Sequence, residues 1–492
     1  MARRPIILFV TPPYHAGVVE SAGVWMPLGL VYLAGHARAA GADPIIYDAM
    51  SLGHGHHDIA RTLATTKPDI VAVSSITATE PDAREVCGTA KRINPGIVTI
   101  LGGVHPTFCW EELFRKDKNV DLGVIGEGEE TIAAVVRSVS AGAGFGTIPG
   151  LAYRSGGAPA RTACRPLVPS LDAFLPAWDL LDWPRYFYRP GPEGRFAIVS
   201  SSRGCRKECS FCSQQKFWAR TWRGREPLSF VTELEMLRDR YGVRVAMLSD
   251  ETPTVDPARW ERVLDLLIER RVGVDLLMET RVDDICRDEA ILHKYREAGI
   301  THLYAGVESG DQDTLDMFKK DTLAAQSKRA IDLINGAGIV SETSFVLGGP
   351  GETPASIAKA VELAKWYSPD MAFFLALTPW PYSDMYPSLA KHVATRDYRK
   401  YNLVEPIIKP DAMALDEMRR ALISATGAFF MDKFNRLGEL PPWKRDYLVK
   451  VLKLLIEHSY LGREMRAMAQ GASMPPEIAA TLAGRPAEVD GK

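Results

Sequence analysis

The chain has 492 residues, 46% hydrophobic and 24% charged, with a formal net charge of −2. That length predicts two or three domains of ~100–200 residues each, and the near-neutral balance gives no basis for a nucleic-acid or anionic-membrane partner. No apolar run approaches the ~18 residues that cross a bilayer, and the stretch ahead of Pro12-Pro13 is too short for a signal peptide. Of seven cysteines, three are clustered, while Cys87, Cys109, Cys164 and Cys286 are scattered and read as buried fillers. That usage predicts reduced thiols in a cytoplasmic protein rather than a disulfide framework.

Residues 5–140 alternate short β-branched runs with helical patterns, the sequence form of an open, doubly wound parallel sheet. In such sheets ligands sit beyond the C-terminal ends of the strands. Those ends carry Tyr14 and His15, Asp48-Ala-Met50, Ser74-Ser75-Ile-Thr77, Gly102-Gly103-Val-His105, and Gly126-Glu127. Glycines at 102 and 103 let a bulky ligand lie against the backbone, and the hydroxyls of Ser74, Ser75 and Thr77 line a slot without filling it. A dinucleotide is disfavoured, because no Gly-x-Gly-x-x-Gly follows the first strand, and there is no Walker A sequence.

From Pro5 to about Ser140 this arrangement resembles the cobalamin-binding domain of a large radical S-adenosylmethionine (SAM) subgroup. The resemblance implies cobalamin contacts from Tyr14, His15, Ser74, Ser75, Thr77, Gly102, Gly103, His105, Gly126 and Glu127. One departure concerns cobalt. The mutase-type Asp-x-His-x-x-Gly becomes Asp48-Ala-Met50-Ser-Leu-Gly53, which offers no histidine ligand, and the nearby His54, His56 and His57 read as a solvated run.

Residues 142–195 read as a connector with a hairpin around Gly150–Arg165 and an aromatic run, Trp178, Trp183 and Tyr186 to Tyr188, that packs the flanking domains together. Between 196 and 386 six further βα units predict a partial (β/α)6 barrel with its reactive groups at the strand C-termini. The loop after the first of these strands holds Cys205, Cys209 and Cys212. Three thiols at that spacing suit an iron–sulfur cubane with one iron lacking a protein ligand. Zinc is the rival, although it normally takes four ligands, and a disulfide would leave one thiol over.

Cys-x3-Cys-x2-Cys with Phe211 before its last cysteine resembles the radical SAM signature. The resemblance implies a [4Fe-4S] cluster on Cys205, Cys209 and Cys212, with SAM beside Phe211. Later strand ends carry Asp250-Glu251, Glu279-Thr-Arg281, Glu308, and Gly348-Gly349. By the same resemblance Asp250 and Glu251 receive the SAM ammonium, Glu308 the ribose, and Gly348 and Gly349 the adenine. Singly, each also reads as a helix cap or an ion pair.

Beyond 387 the sequence predicts amphipathic helices over about 414–435 and 442–468, able to cap the barrel mouth or simply to pack as a hairpin. Near full-length similarity to the anaerobic magnesium-porphyrin oxidative cyclases rests on several stretches. They are Tyr14-His15 with Ala22-Gly-Val-Trp25, Gly102 to His105, Cys212 to Trp218, Asp250 to Thr254, Thr280-Arg281, Thr378 to Pro381, and Tyr401 to Met413. Pro13 stands where that pattern has Asn, Val24 and Met26 flank Trp25 differently, and Tyr382 replaces Phe. The similarity implies ring closure on a magnesium porphyrin, with an electron donor such as flavodoxin or ferredoxin. A cobalamin-dependent methyltransferase is the alternative, and a non-catalytic cobalamin or tetrapyrrole sensor is a remote one that leaves the three thiols unexplained.

Overall fold

The computed structural model describes residues 3–14, 22–459 and 462–463. Strands β1 (Ile6–Thr11), β2 (Asp43–Asp48), β3 (Ile70–Ser74), β4 (Val98–Gly102) and β5 (Leu122–Val124) form a parallel sheet in the order 2-1-3-4-5. This is a doubly wound order whose switch point lies between β1 and β3. Its strands read as unbroken apolar runs because both faces are covered. Ile7 and Phe9 pack into one helix layer with Leu30 and Val135, whereas Leu8 and Val10 pack into the other with Leu63 and Val86.

The hairpin foreseen in the connector is β6 (Leu151–Ser155) and β7 (Ala158–Arg161), and it joins the first sheet antiparallel to β5. Part of the connector therefore extends the N-terminal sheet. Its aromatic run does bridge to the rest of the chain: Trp178 donates from Nε1 to Glu233 at 3.0 Å and Tyr186 donates to Asp48 at 3.0 Å. Of the scattered cysteines, Cys87 is a buried filler but Cys164 is exposed, on a polar stretch with no core to join.

The second sheet runs β8 (Arg195–Val199), β11 (Val243–Leu248), β12 (Asp275–Arg281), β13 (Ile300–Gly306), β14 (Val340–Leu347) and β15 (Met371–Ala376), all parallel. It is a six-stranded, open barrel. Ala197, Val199, Leu248, Leu276, Met278 and Ala305 face the outer helices, where they share a core with Phe230, Trp260 and Ile331. Phe196, Val245 and Leu277 turn the other way, into the lumen beside Tyr188. Between β8 and β11 lies a ribbon absent from the sequence reading, β9 (Ser202–Gly204) paired antiparallel with β10 (Trp222–Gly224).

The C-terminal helices are Leu415–Asn435 and Pro442–His458. The first lies along β15 and the helix Pro354–Tyr367. It starts with Met418 beside Gly348 and ends with Phe430 edge-on to Phe373. The second sends Tyr447 towards the N-terminal ends of the strands, where its hydroxyl meets Tyr188 at 2.6 Å and His302 at 3.0 Å. The pair thus closes the side and floor of the open barrel, with the start of the first helix reaching its mouth at Gly348. The segment ahead of them straps back to the first domain through Arg399 with Asp82 and Tyr398 with Glu112.

Candidate cofactor and active site

The loop 205–221 leaves β9 and returns on β10, so the ribbon fixes its two ends. Gly204 makes the turn possible: its φ is +103°, and a Cβ there would lie 2.1 Å from the Thr221 carbonyl oxygen. Backbone bonds anchor the middle of the loop, from Ser210 N to Phe318 O at 2.8 Å and from Met385 N to Ser210 O at 3.2 Å. Cys205, Cys209 and Cys212 are free thiols on this loop, with Phe211 edge-on to Phe318 at 5.2 Å. Burial pushes the Cys209 thiol up and the Cys212 thiol up to about 12. Such thiols become thiolates by binding a metal. Among the described residues no three His, Cys, Asp or Glu gather as a single-ion site.

The strand-end acids divide by burial. Asp250 is 0% exposed and accepts hydrogen bonds from Ser201 N (2.8 Å), Ser201 Oγ (2.6 Å) and Ser202 Oγ (2.6 Å). Burial pushes its carboxyl up to about 6. It ties the end of β11 to the start of the cysteine loop and stands behind the open surface, where the sequence reading had placed it facing the SAM ammonium. Glu251 accepts from Gly204 N at 2.8 Å and from Trp218 Nε1 at 2.5 Å. Glu308 adopts φ +63°, a strained conformation for a residue with a Cβ, and its carboxylate pairs with buried Lys320 at 2.7 Å. Gly348 donates its N–H to Glu352 at 2.8 Å. A Cβ at Gly349 would meet only Leu377, at 3.9 Å, which leaves room beside its backbone.

Facing this end of the barrel is a cavity of about 330 Å³ that brings together Ser74, Gly102, Gly103, Gly126 and Glu127 with Glu251 across the domain boundary. Its floor is apolar, with Leu28, Leu33 and Ile132, and its far wall includes Arg203, Phe217 and Trp218. Sequence reasoning missed that wall, although Arg203 stands two residues before Cys205. Glu127 is held by Arg203 at 3.0 Å, by Arg223 at 2.8 Å and by Val168 N at 2.8 Å, so it clamps the domains.

Other expected contacts lie outside that cavity. Ser75 is buried, with its N–H on Gly102 O at 2.8 Å. Thr77 sits between Tyr382, hydroxyl to hydroxyl at 2.9 Å, and His105 at 3.2 Å. Burial lowers His105 to about 4, so it is neutral, edge-on to Tyr398. Tyr14 donates to the Arg399 carbonyl at 2.9 Å, and His15 lies outside the described residues. Asp48 caps the short helix Ala49–Leu52 and accepts from Thr11 at 2.7 Å. His54 and His56 are not the solvated run expected of them, since they contact Tyr47 at 2.6 Å and Asp82 at 3.0 Å.

The B12 binding domain family matches residues 14–136 and the Radical SAM superfamily residues 199–364. Over 465 residues the chain is 38% identical to the anaerobic magnesium-protoporphyrin IX monomethyl ester cyclase of Rubrivivax gelatinosus, covering 92% of this chain and 83% of that protein. The chain belongs to the cobalamin-dependent radical SAM family. An uncharacterized methyltransferase of Pyrococcus horikoshii is 30% identical over 86% of this chain and 92% of its own length. The radical SAM methyltransferase TsrM of Kitasatospora setae, solved with cobalamin and a [4Fe-4S] cluster bound, shares the fold at TM-score 0.65 and 18% identity, with 85% of each chain covered.

The chain's own chemistry fits the three groups of a cobalamin-dependent radical SAM enzyme. Soft sulfur donors sit on one anchored loop, as a cluster requires. Carboxylates and glycine backbone surround the same strand ends, complementary to the cationic and planar parts of SAM. The apolar part of the cavity lining, with Leu28, Leu33 and Ile132, suits the benzimidazole end of a cobalamin tail.

Proposed function

We propose that this enzyme is an anaerobic oxidative cyclase that closes a fifth ring on a magnesium-porphyrin monomethyl ester in the cytoplasm. The observation that carries the reading is the 38% identity to the Rubrivivax gelatinosus cyclase across 92% of the chain. In this reading Cys205, Cys209 and Cys212 hold the [4Fe-4S] cluster. Phe211, Glu251, Glu308, Gly348 and Gly349 face SAM, with Asp250 behind them as support, and the interdomain cavity receives the cobalamin tail. Bound there, cluster and SAM supply hydrogen-atom abstraction, and cobalamin supplies one-electron redox chemistry. The protein's part is to hold the cluster loop through Ser210, to fix Glu251 on Gly204, and to keep water out through the Glu127 clamp. Electrons come from a small acceptor–donor protein such as a flavodoxin or ferredoxin.

Anaerobic assay of the reconstituted enzyme with magnesium-protoporphyrin monomethyl ester is expected to give the fifth-ring product. A methylated porphyrin instead would support the second reading, a methyltransferase, which the 30% identity to the Pyrococcus horikoshii protein favours. Replacing Cys205, Cys209 and Cys212 together by Ala should abolish cluster iron after reconstitution. Four irons per chain retained in that variant would remove the assignment.

A further inference from the structure

Glu279 lies on β12, and the register sets it beside Tyr304 of β13, which lies beside Glu342 of β14. Its neighbours show which way it points. Met278 belongs to the outer core and Thr280 bonds Thr254 at 2.6 Å, so Glu279 alternates into the lumen. Most of the other charged lumen groups among the described residues have partners, Asp275 at the far end of the same strand face being an exception. Glu308 holds Lys320, Glu251 holds Gly204 N and Trp218, Arg281 holds Asp283 at 2.8 Å, and Glu342 lies 2.8 Å from His302. Tyr304 is hydrogen-bonded to Ser344. The Glu279 carboxyl makes no hydrogen bond or ion pair with any described residue, and it is largely covered.

We propose that Glu279 stands in the lumen as an uncharged carboxylic acid and donates a hydrogen bond to the ester carbonyl of the substrate, an inference that rests on the cyclase reading above. Like charges disfavour ionisation: Glu342 stands two strands across in register, and Glu251, Asp250 and Glu308 add to the negative field. Burial and those carboxyls push it up to about 8, in agreement with the geometry. The same field repels an ionised propionate arm but not an esterified one. The lumen therefore selects the ester-bearing side of a porphyrin monoester and leaves the free carboxylate outside.

The test uses the anaerobically reconstituted full chain and magnesium-protoporphyrin monomethyl ester, with binding followed by porphyrin fluorescence between pH 6.5 and 9, alongside SAM binding. Wild type should bind the ester more weakly as pH rises past 8. Glu279→Gln, which keeps a donor, should bind it with little pH dependence, and Glu279→Leu should bind it roughly tenfold more weakly than wild type below pH 8, the gap closing as pH rises. The infrared difference between wild type and Glu279→Gln should show a protonated-carboxyl C=O band at neutral pH. Absence of that band overturns the proposal whatever the substrate. So does a Leu variant that binds the ester like wild type, or a Gln variant that loses SAM rather than ester. No binding of the porphyrin to wild type would remove the cyclase reading, and the ester assignment with it. Tight ester binding that ignores residue 279 would remove this inference alone.

Discussion

Glu308 holds a buried cation and is also proposed to meet the SAM ribose, two duties that its position in the sequence does not separate. Its backbone is strained at φ +63° and its carboxylate neutralises buried Lys320. Glu308→Gln should therefore weaken SAM binding by roughly ten- to a hundredfold. It should also cost about 3–5 kcal/mol of stability, because a buried cation loses its partner. Calorimetry on Glu308→Gln and on Glu308→Gln with Lys320→Met separates the two duties: the double variant should regain stability but not SAM affinity. Glu279 makes a pH prediction. A carboxyl that holds its proton more tightly folded than unfolded loses stability as pH rises from the ordinary glutamate range through about 8, and its full contribution is present only below that window. Melting temperatures taken across this range should fall with pH in wild type and fall less in Glu279→Gln. Equal slopes would count against a raised carboxyl. That the three cysteines share one loop was legible because they lie within eight residues of each other. The role of Asp250 was not, because its partners Ser201 and Ser202 arrive from another strand.

At the scale of elements, alternation and apolar runs located the parallel strands well, because strands buried on both faces must be apolar throughout. The β9–β10 ribbon escaped notice, being two three-residue strands whose pairing depends on the loop they bracket. Amphipathic patterning revealed the C-terminal helices but not their seat, since the pattern gives a face and not its partner. That seat is specified by Lys444 on the helix Pro442–His458, which pairs with Asp370 at 2.7 Å with both side chains buried. Lys444→Ala strands the Asp370 charge and should cost about 3–5 kcal/mol. Lys444→Met with Asp370→Asn should recover most of it. If chemical denaturation shows Lys444→Ala within about 0.5 kcal/mol of wild type, the helix is held by its apolar face alone.

For the whole molecule, the decisive contacts run between sheets. Glu127 joins Arg203 and Arg223 across the boundary where the cavity lies, so the site exists only when both halves are docked. Glu127→Gln should loosen that docking by about 1.5–3 kcal/mol and weaken cobalamin retention while SAM still binds. Unchanged cobalamin retention on gel filtration would place the cofactor elsewhere. No helix among the described residues is long and apolar enough to cross a membrane.

The start of the chain adds a last point. Trp25 packs edge-on against Phe196 at 5.0 Å, Gly23 bridges to Tyr188, and Met26 lies in the barrel's outer core. All of these partners lie after the first sheet in the chain. On the ribosome, then, the N-terminal domain emerges with its entry strap unmoored, and stays so until the first barrel strand is made. For that interval the strand ends of the first sheet are open on the side that the barrel later covers.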